Sequence, residues 1–72
     1  MKNTFITSQI RNYTKAKRQS LKNSALITVG LYAGLLKKED VFFRTPTEAE
    51  FQRVIYFMRQ FCLEQRLPFP EP

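Results

Sequence analysis

A complete helix pattern lies in residues 47–62, which read TEAEFQRVIYFMRQFC. Thr47 and Glu50 have the spacing of a capping box, in which each side chain accepts a hydrogen bond from the other residue's backbone amide. The apolar residues that follow recur at helical intervals and share one stripe: Phe51, Val54, Ile55, Met58, Phe61 and Cys62. We predict an amphipathic helix that ends near residues 66–67, because Pro68 disfavours helical geometry in the residue before it.

A second segment, residues 25–36, reads ALITVGLYAGLL and is apolar nearly all round. Its β-branched residues 27–29 are compatible with a strand, and a short apolar run cannot be assigned by periodicity alone. We predict a buried helix from Ser24 to Leu36, capped by Asn23 or Ser24. Gly30 and Gly34 lie four residues apart, which on a helix predicts a smooth strip that another backbone can approach closely.

A first helix is predicted to begin at Thr7 or Ser8 and to run to Leu21, with a break at residues 22–24. One longer, bent helix is the alternative. Residues 37–40 are expected to form a polar turn, and residues 41–44 a short extended segment. These elements predict an all-α, compact three-helix domain over residues 1–67, followed by an extended Pro-rich tail at residues 68–72.

Composition excludes several kinds of chemistry. The chain has 72 residues, no His and one Cys, so it cannot assemble a Cys/His metal site, an internal disulfide or a His-based catalytic centre. We therefore predict a non-enzymatic protein without cofactor or small-molecule substrate. One cysteine fits a reducing cytoplasm, and Cys62 on the apolar stripe is expected to be buried, with a raised pKa.

Charge is distributed unevenly along the chain. The net charge is +6, and residues 1–38 contain Lys and Arg but no Asp or Glu. Four cations follow helical spacing, which on one continuous helix gives a cationic stripe, with Lys17 beside it: Arg11, Lys15, Arg18 and Lys22. Like charges at this spacing repel each other, so the stripe favours contact with a polyanion. A surface that only solubilises the chain is the alternative.

A second candidate surface lies on the third helix, opposite its apolar stripe. Tyr56 and Leu63 are seven residues apart with Arg53 nearby, and Tyr and Arg are common binding residues at protein interfaces. The alternatives are that this helix buries both faces, or that these are scattered apolar surface residues that need no explanation. For Phe42 and Phe43, core packing is the favoured use, and contact with a base or a partner pocket is the alternative.

These patterns favour a small basic regulatory protein in a bacterial or phage-infected cytoplasm that binds the DNA or RNA backbone through the helix-1 stripe. The alternative is a phage-type regulator that binds a host protein machine such as RNA polymerase and inhibits or modifies transcription. Association with an anionic membrane ranks last, because the apolar face of the first helix is sparse.

Overall fold

Three long helices and one single-turn helix make up the fold. The computed structural model describes residues 4–42 and 44–69, with the side chain of Asp40 left out. The helices are α1 (Thr4–Lys15), α2 (Gln19–Ala33), α3 (Lys38–Phe42) and α4 (Glu48–Gln65). The prediction of an all-α, three-helix fold is therefore confirmed. Residues 25–33 of the apolar segment, which the sequence alone could not assign to a strand or a helix, lie in α2.

Helix α2 is central and packs against both α1 and α4. The α1–α2 connection spans residues 16–18, and the two helices run antiparallel. Near the connection, the Lys22 ammonium lies over the Tyr13 ring, and at the opposite end the rings of Phe5 and Tyr32 are 4.7 Å apart. The helical hairpin thus brings its two apolar faces together.

The predicted break at residues 22–24 is wrong, because these residues lie inside α2. The chain turns at residues 16–18, where Arg18 adopts an extended conformation and its carbonyl accepts from the amides of Leu21 and Lys22. Asn23, expected as a cap, accepts instead from the Gln19 side chain at 2.9 Å. The earlier turn allows Ile10 of α1 to enter the core that α2 shares.

The sequence prediction for α4 is confirmed at its start and along its stripe. The Glu50 amide donates to Thr47 Oγ1 at 3.2 Å, and the Thr47 amide donates to Glu50 Oε1 at 2.7 Å. Four stripe residues are buried, namely Phe51, Val54, Met58 and Cys62, while Ile55 and Phe61 pack half-buried against the same core. They join Ile6, Ile10, Leu26, Val29 and Leu36 in one apolar cluster.

Gly30 lies within α2 and Gly34 follows its last residue, so the predicted smooth strip is not formed. Gly30 is buried, and a Cβ built there would lie 2.6 Å from Leu36 Cδ1. Gly34 ends the helix in the left-handed region with φ 78°, and its Cβ position is open within 4 Å. The Gly30 carbonyl accepts from the amides of Leu35 and Leu36, which returns Leu36 to the core.

The region between α2 and α4 departs from the predicted turn and extended segment. Residues 38–42 form helix α3, Phe43 lies outside the described residues, and Arg44 is in a bend. Val41 packs against the core, whereas Phe42 is 73 % exposed. Phe42 therefore does not pack in the core, because the adjacent Val41 takes the inward position on the helical turn, and the prediction for Phe43 lies outside the described residues.

After α4 the chain reverses at Arg66, which is in the left-handed region with φ 58°. The Leu67 amide donates to the Cys62 carbonyl at 2.8 Å, and Leu67 and Phe69 pack against the core. Residues 70–72 of the predicted Pro-rich tail lie outside the described residues. Among the helices of residues 4–42 and 44–69, none has both the length and the hydropathy needed to cross a membrane.

Candidate nucleic-acid interface

The predicted cationic stripe does not exist as one helical face, because α1 ends at Lys15 and α2 begins at Gln19. Arg11 and Lys15 remain one helical turn apart on α1 and line the same shallow groove beside residues 67–69. Arg18 precedes the first residue of α2, and Lys22 lies on α2 in a different groove. The helical break therefore spreads the predicted binding residues around the α1–α2 connection.

We call this set of cations the basic turn: Arg11, Lys15, Lys17, Arg18 and Lys22. All are exposed except Lys22, which is half-buried. Within the described residues none of the five forms an ion pair, and residues 1–38 contain no Asp or Glu. The two helices and their connection therefore supply no carboxylate to compensate these charges. The potentials of the clustered cations add, which makes the surface attractive to a polyanion.

Backbone electrostatics add to this potential at the start of α2. The first turn of α2 contains no acidic residue, and the Arg18 side chain forms no capping hydrogen bond. The positive end of the helix dipole is thus left without a local anion. Lys15 lies in the last turn of α1, where it also stabilises the negative end of that dipole.

Lys22 belongs to a stack of side chains drawn from four parts of the chain. Its ammonium lies 5.6 Å from the centroid of the Tyr13 ring. The Tyr13 and Phe69 rings are nearly parallel, with centroids 5.9 Å apart and 8° between their planes. The guanidinium of Arg59 lies 5.8 Å from the Phe69 centroid. The order is cation, ring, ring, cation.

A groove of about 510 Å³ runs beside this stack, and we call it the ring groove. Gln19 and Asn23 line its α2 side, and Glu48 and Gln52 line its α4 side. On each side one amide is held in place, since Gln19 donates to Asn23 at 2.9 Å and Gln52 donates to Glu48 at 3.0 Å. The groove therefore combines aromatic rings, cations and oriented hydrogen-bonding groups.

Sequence reasoning missed the ring groove. Tyr13 is not among the predicted binding residues, and Phe69 belongs to residues 68–72, which are predicted to form an extended tail. No local pattern links Tyr13, Lys22, Arg59 and Phe69, because each belongs to a different segment. The one signal available was compositional, namely aromatic residues within a basic chain, and it does not identify which rings meet.

The second predicted surface lies on α4, opposite the core stripe. Tyr56 is 63 % exposed and Leu63 is 66 % exposed, and Arg53 is exposed beside them. The alternative in which this helix buries both faces is therefore wrong. We refer to these three residues as the outer face of α4. Phe42 is exposed on α3, and the contribution predicted for Phe43 falls outside the described residues.

The titratable groups elsewhere have structural explanations. Arg44 forms a bidentate pair with Glu50, with N–O distances of 2.8 and 2.9 Å. This pair, together with the Thr47 amide, holds the pKa of Glu50 at about 2. Cys62 is buried as predicted, and burial raises its thiol pKa. In the part of the chain that the structure describes, no three His, Cys, Asp or Glu side chains are grouped to hold a metal ion.

The chain was compared with known proteins at the level of family, sequence and structure. No protein family matches it, and no curated protein or solved structure does so either.

Proposed function

We propose that this protein is a small, non-enzymatic regulator that binds DNA or RNA in a bacterial or phage-infected cytoplasm. The observation that carries the proposal is the basic turn, whose cations surround one helical connection without a neighbouring carboxylate from α1 or α2. Phosphate contacts of Lys and Arg supply most of the affinity in sequence-independent binding. The two faces of the connection allow a backbone to contact Arg11 and Lys15 on one side and Lys22 on the other.

The proposal predicts a steep dependence of affinity on salt. If the four exposed cations of the basic turn neutralise phosphates, the log–log slope of affinity against salt is roughly −3 to −4. The test is fluorescence anisotropy with labelled DNA and RNA 20-mers between about 50 and 200 mM NaCl. Absence of binding at the lowest salt, or affinity that does not change with salt, would overturn the proposal.

Charge-neutralising variants distinguish the contribution of the basic turn to binding affinity from the contribution of the net charge of the chain. Arg18→Gln or Lys15→Gln is expected to weaken binding about equally across sequences and to reduce the salt slope by about one. Lys38→Gln is the matched control, because Lys38 is an exposed cation on α3 and its removal changes net charge by the same amount. Equal effects from Lys38→Gln would assign the binding to net charge and remove the basic turn as its site.

The second candidate function is docking on a nucleic-acid-handling protein machine such as RNA polymerase. It is favoured by the exposure of Tyr56 and Leu63 on the outer face of α4, because exposed Tyr and Arg are typical binding residues. With purified bacterial RNA polymerase and nuclease present, Tyr56→Ala is expected to weaken binding by more than about 1 kcal/mol. Unchanged affinity would eliminate this face as the contact.

A further inference from the structure

The ring groove is a concave surface feature whose aromatic rings are not accounted for by phosphate binding at the basic turn. It opens beside a cation–ring–ring–cation stack whose members come from α1, α2, α4 and the segment after α4. Both Tyr13 and Phe69 are half-buried, so each ring is fixed by the body while part of it meets solvent. A fixed aromatic ring beside cations is the arrangement that single-stranded nucleic-acid binders use for stacking.

We propose that the ring groove holds one unpaired base of single-stranded DNA or RNA, an inference that rests on the proposed function. The base stacks on the Tyr13 ring in the place now taken by the Lys22 ammonium. That ammonium moves to the phosphate next to the base. A cation–ring contact at a partly exposed site is weak, so exchanging it for a base stack and an ion pair is favourable.

Charge fixes the orientation of the strand. Lys22 belongs to both the basic turn and the ring groove, so a backbone on the basic turn reaches the groove without a gap in positive charge. On the α4 side Glu48 lines the groove and repels phosphate from the start of that helix, while the Arg59 guanidinium lies over the Phe69 ring. The strand therefore runs along the α1–α2 side and turns its base inward, towards α4.

Hydrogen-bonding groups line both sides of the position assigned to the base. Gln19 and Asn23 present amides from α2, and Gln52 presents one from α4. Such groups match the edges of an unpaired base, which a duplex hides within its base pairs. Stacking and edge contacts together predict a preference for single strands over duplexes of the same charge.

The first test measures anisotropy with oligo(dT), oligo(U), a DNA duplex of matched charge and inorganic polyphosphate. Tyr13→Leu is expected to weaken binding to the two single strands by about five-fold or more, while affinity for duplex and polyphosphate stays within about two-fold. Tyr32→Leu is the matched control, because it removes an exposed ring at the end of the α1–α2 hairpin opposite the basic turn, and it is expected to change none of the affinities. Circular dichroism checks that each variant keeps its helices.

The outcomes separate this inference from the proposed function. Absence of binding to every polyanion overturns both. Salt-dependent binding to all four ligands, with Tyr13→Leu weakening them equally or not at all, overturns the base site and leaves the proposed function in place. A loss confined to the single strands supports the base site.

A second test uses the unaltered chain and is independent of how the variant folds. Oligonucleotides that carry one 5-iodouracil are irradiated in the complex, and the crosslinked residue is found by mass spectrometry. A base that stacks on an aromatic ring crosslinks to that ring, so the expected site is Tyr13, because the Phe69 ring lies between Tyr13 and Arg59. Crosslinks found only outside the ring groove would overturn the inference.

Discussion

Gly30→Ala is the substitution whose outcome the structure defines most sharply. A Cβ at this position would lie 2.6 Å from Leu36 Cδ1, 2.7 Å from Leu36 Cγ and 3.1 Å from Val54 Cγ2. Carbon atoms in contact are normally about 3.5–4.0 Å apart, so the overlap with Leu36 is close to one ångström. Overpacking of this kind costs about 1–3 kcal/mol.

Alanine also improves the helix itself, by about 1 kcal/mol relative to glycine. The net expectation for Gly30→Ala is a loss of about 0–2 kcal/mol from the free energy of unfolding, since the helix gain offsets part of the overpacking cost. For a chain of this length the total is about 4–11 kcal/mol, so the variant remains folded and its loss is measurable by urea denaturation with circular dichroism.

A double-mutant cycle tests whether Leu36 is the cause. Leu36→Ala removes both overlapping atoms and itself costs about 2–5 kcal/mol. In that background only the 3.1 Å approach to Val54 opposes the helix gain, so Gly30→Ala is expected to be neutral or stabilising by up to about 1 kcal/mol, which gives a coupling energy of at least about 1 kcal/mol. All four proteins are measured in the same concentration of a stabilising osmolyte, so that the weakest stays folded. Additivity within about 0.5 kcal/mol, or stabilisation by the single Gly30→Ala change, would refute the packing argument.

Further predictions concern the helix ends, the capping box and the thiol. Gly34→Ala places a Cβ at positive φ and is expected to lower the free energy of unfolding by about 1 kcal/mol, measured by urea denaturation. Arg66→Gly relieves the same strain at the end of α4 and is expected to raise the free energy of unfolding. Effects of the opposite sign would contradict the assignment of strain. The lowered pKa of Glu50 contributes stability above pH 4.5 that is lost as the pH falls towards about 2. The Tm of the wild type should therefore fall more steeply than that of Glu50→Gln across this interval, and parallel Tm curves would exclude Glu50 as the source. Cys62 is expected to react with a thiol reagent more than about a hundred-fold more slowly in native than in denatured protein, because reaction requires local opening; equal rates would show that the thiol is accessible.

Prediction from sequence succeeded where the deciding signals are local. Helix α4 carries both its cap, at Thr47 and Glu50, and its apolar stripe within the same stretch of chain. Each signal supports the other, and neither depends on a distant residue. The burial of Cys62 followed directly from its position on that stripe.

The α1–α2 connection could not be placed in the same way. Residues 16–18 contain no Gly, Pro, Asn or Asp, so the usual turn residues are missing, while Asn23 and Ser24 offered a better cap farther along the chain. The position of the turn depends on bringing Ile10 to the core shared with α2, which is a non-local requirement. Because the turn was misplaced, the four cations were assigned to one continuous helical face.

The residues of the basic turn were predictable from sequence, whereas its geometry and the ring groove were not. The basic turn was identified from the absence of acidic residues over positions 1–38, which is a property of composition. The ring groove needs Tyr13 and Phe69 to meet across the fold, and no short-range pattern contains that information. Exposure of Tyr56 agrees with the helical period, since it lies away from the buried stripe.

The stack of Phe69 on Tyr13 joins two positions near opposite ends of the described chain, and this has a consequence for folding kinetics. Closing a long loop costs more entropy than forming a helical hairpin, so α1 and α2 are expected to associate before residues 67–69 dock. The last contact to form is also the easiest to open locally. Hydrogen exchange should therefore be faster at the Leu67 amide than in the middle of α4, and the ring groove should widen each time this segment detaches.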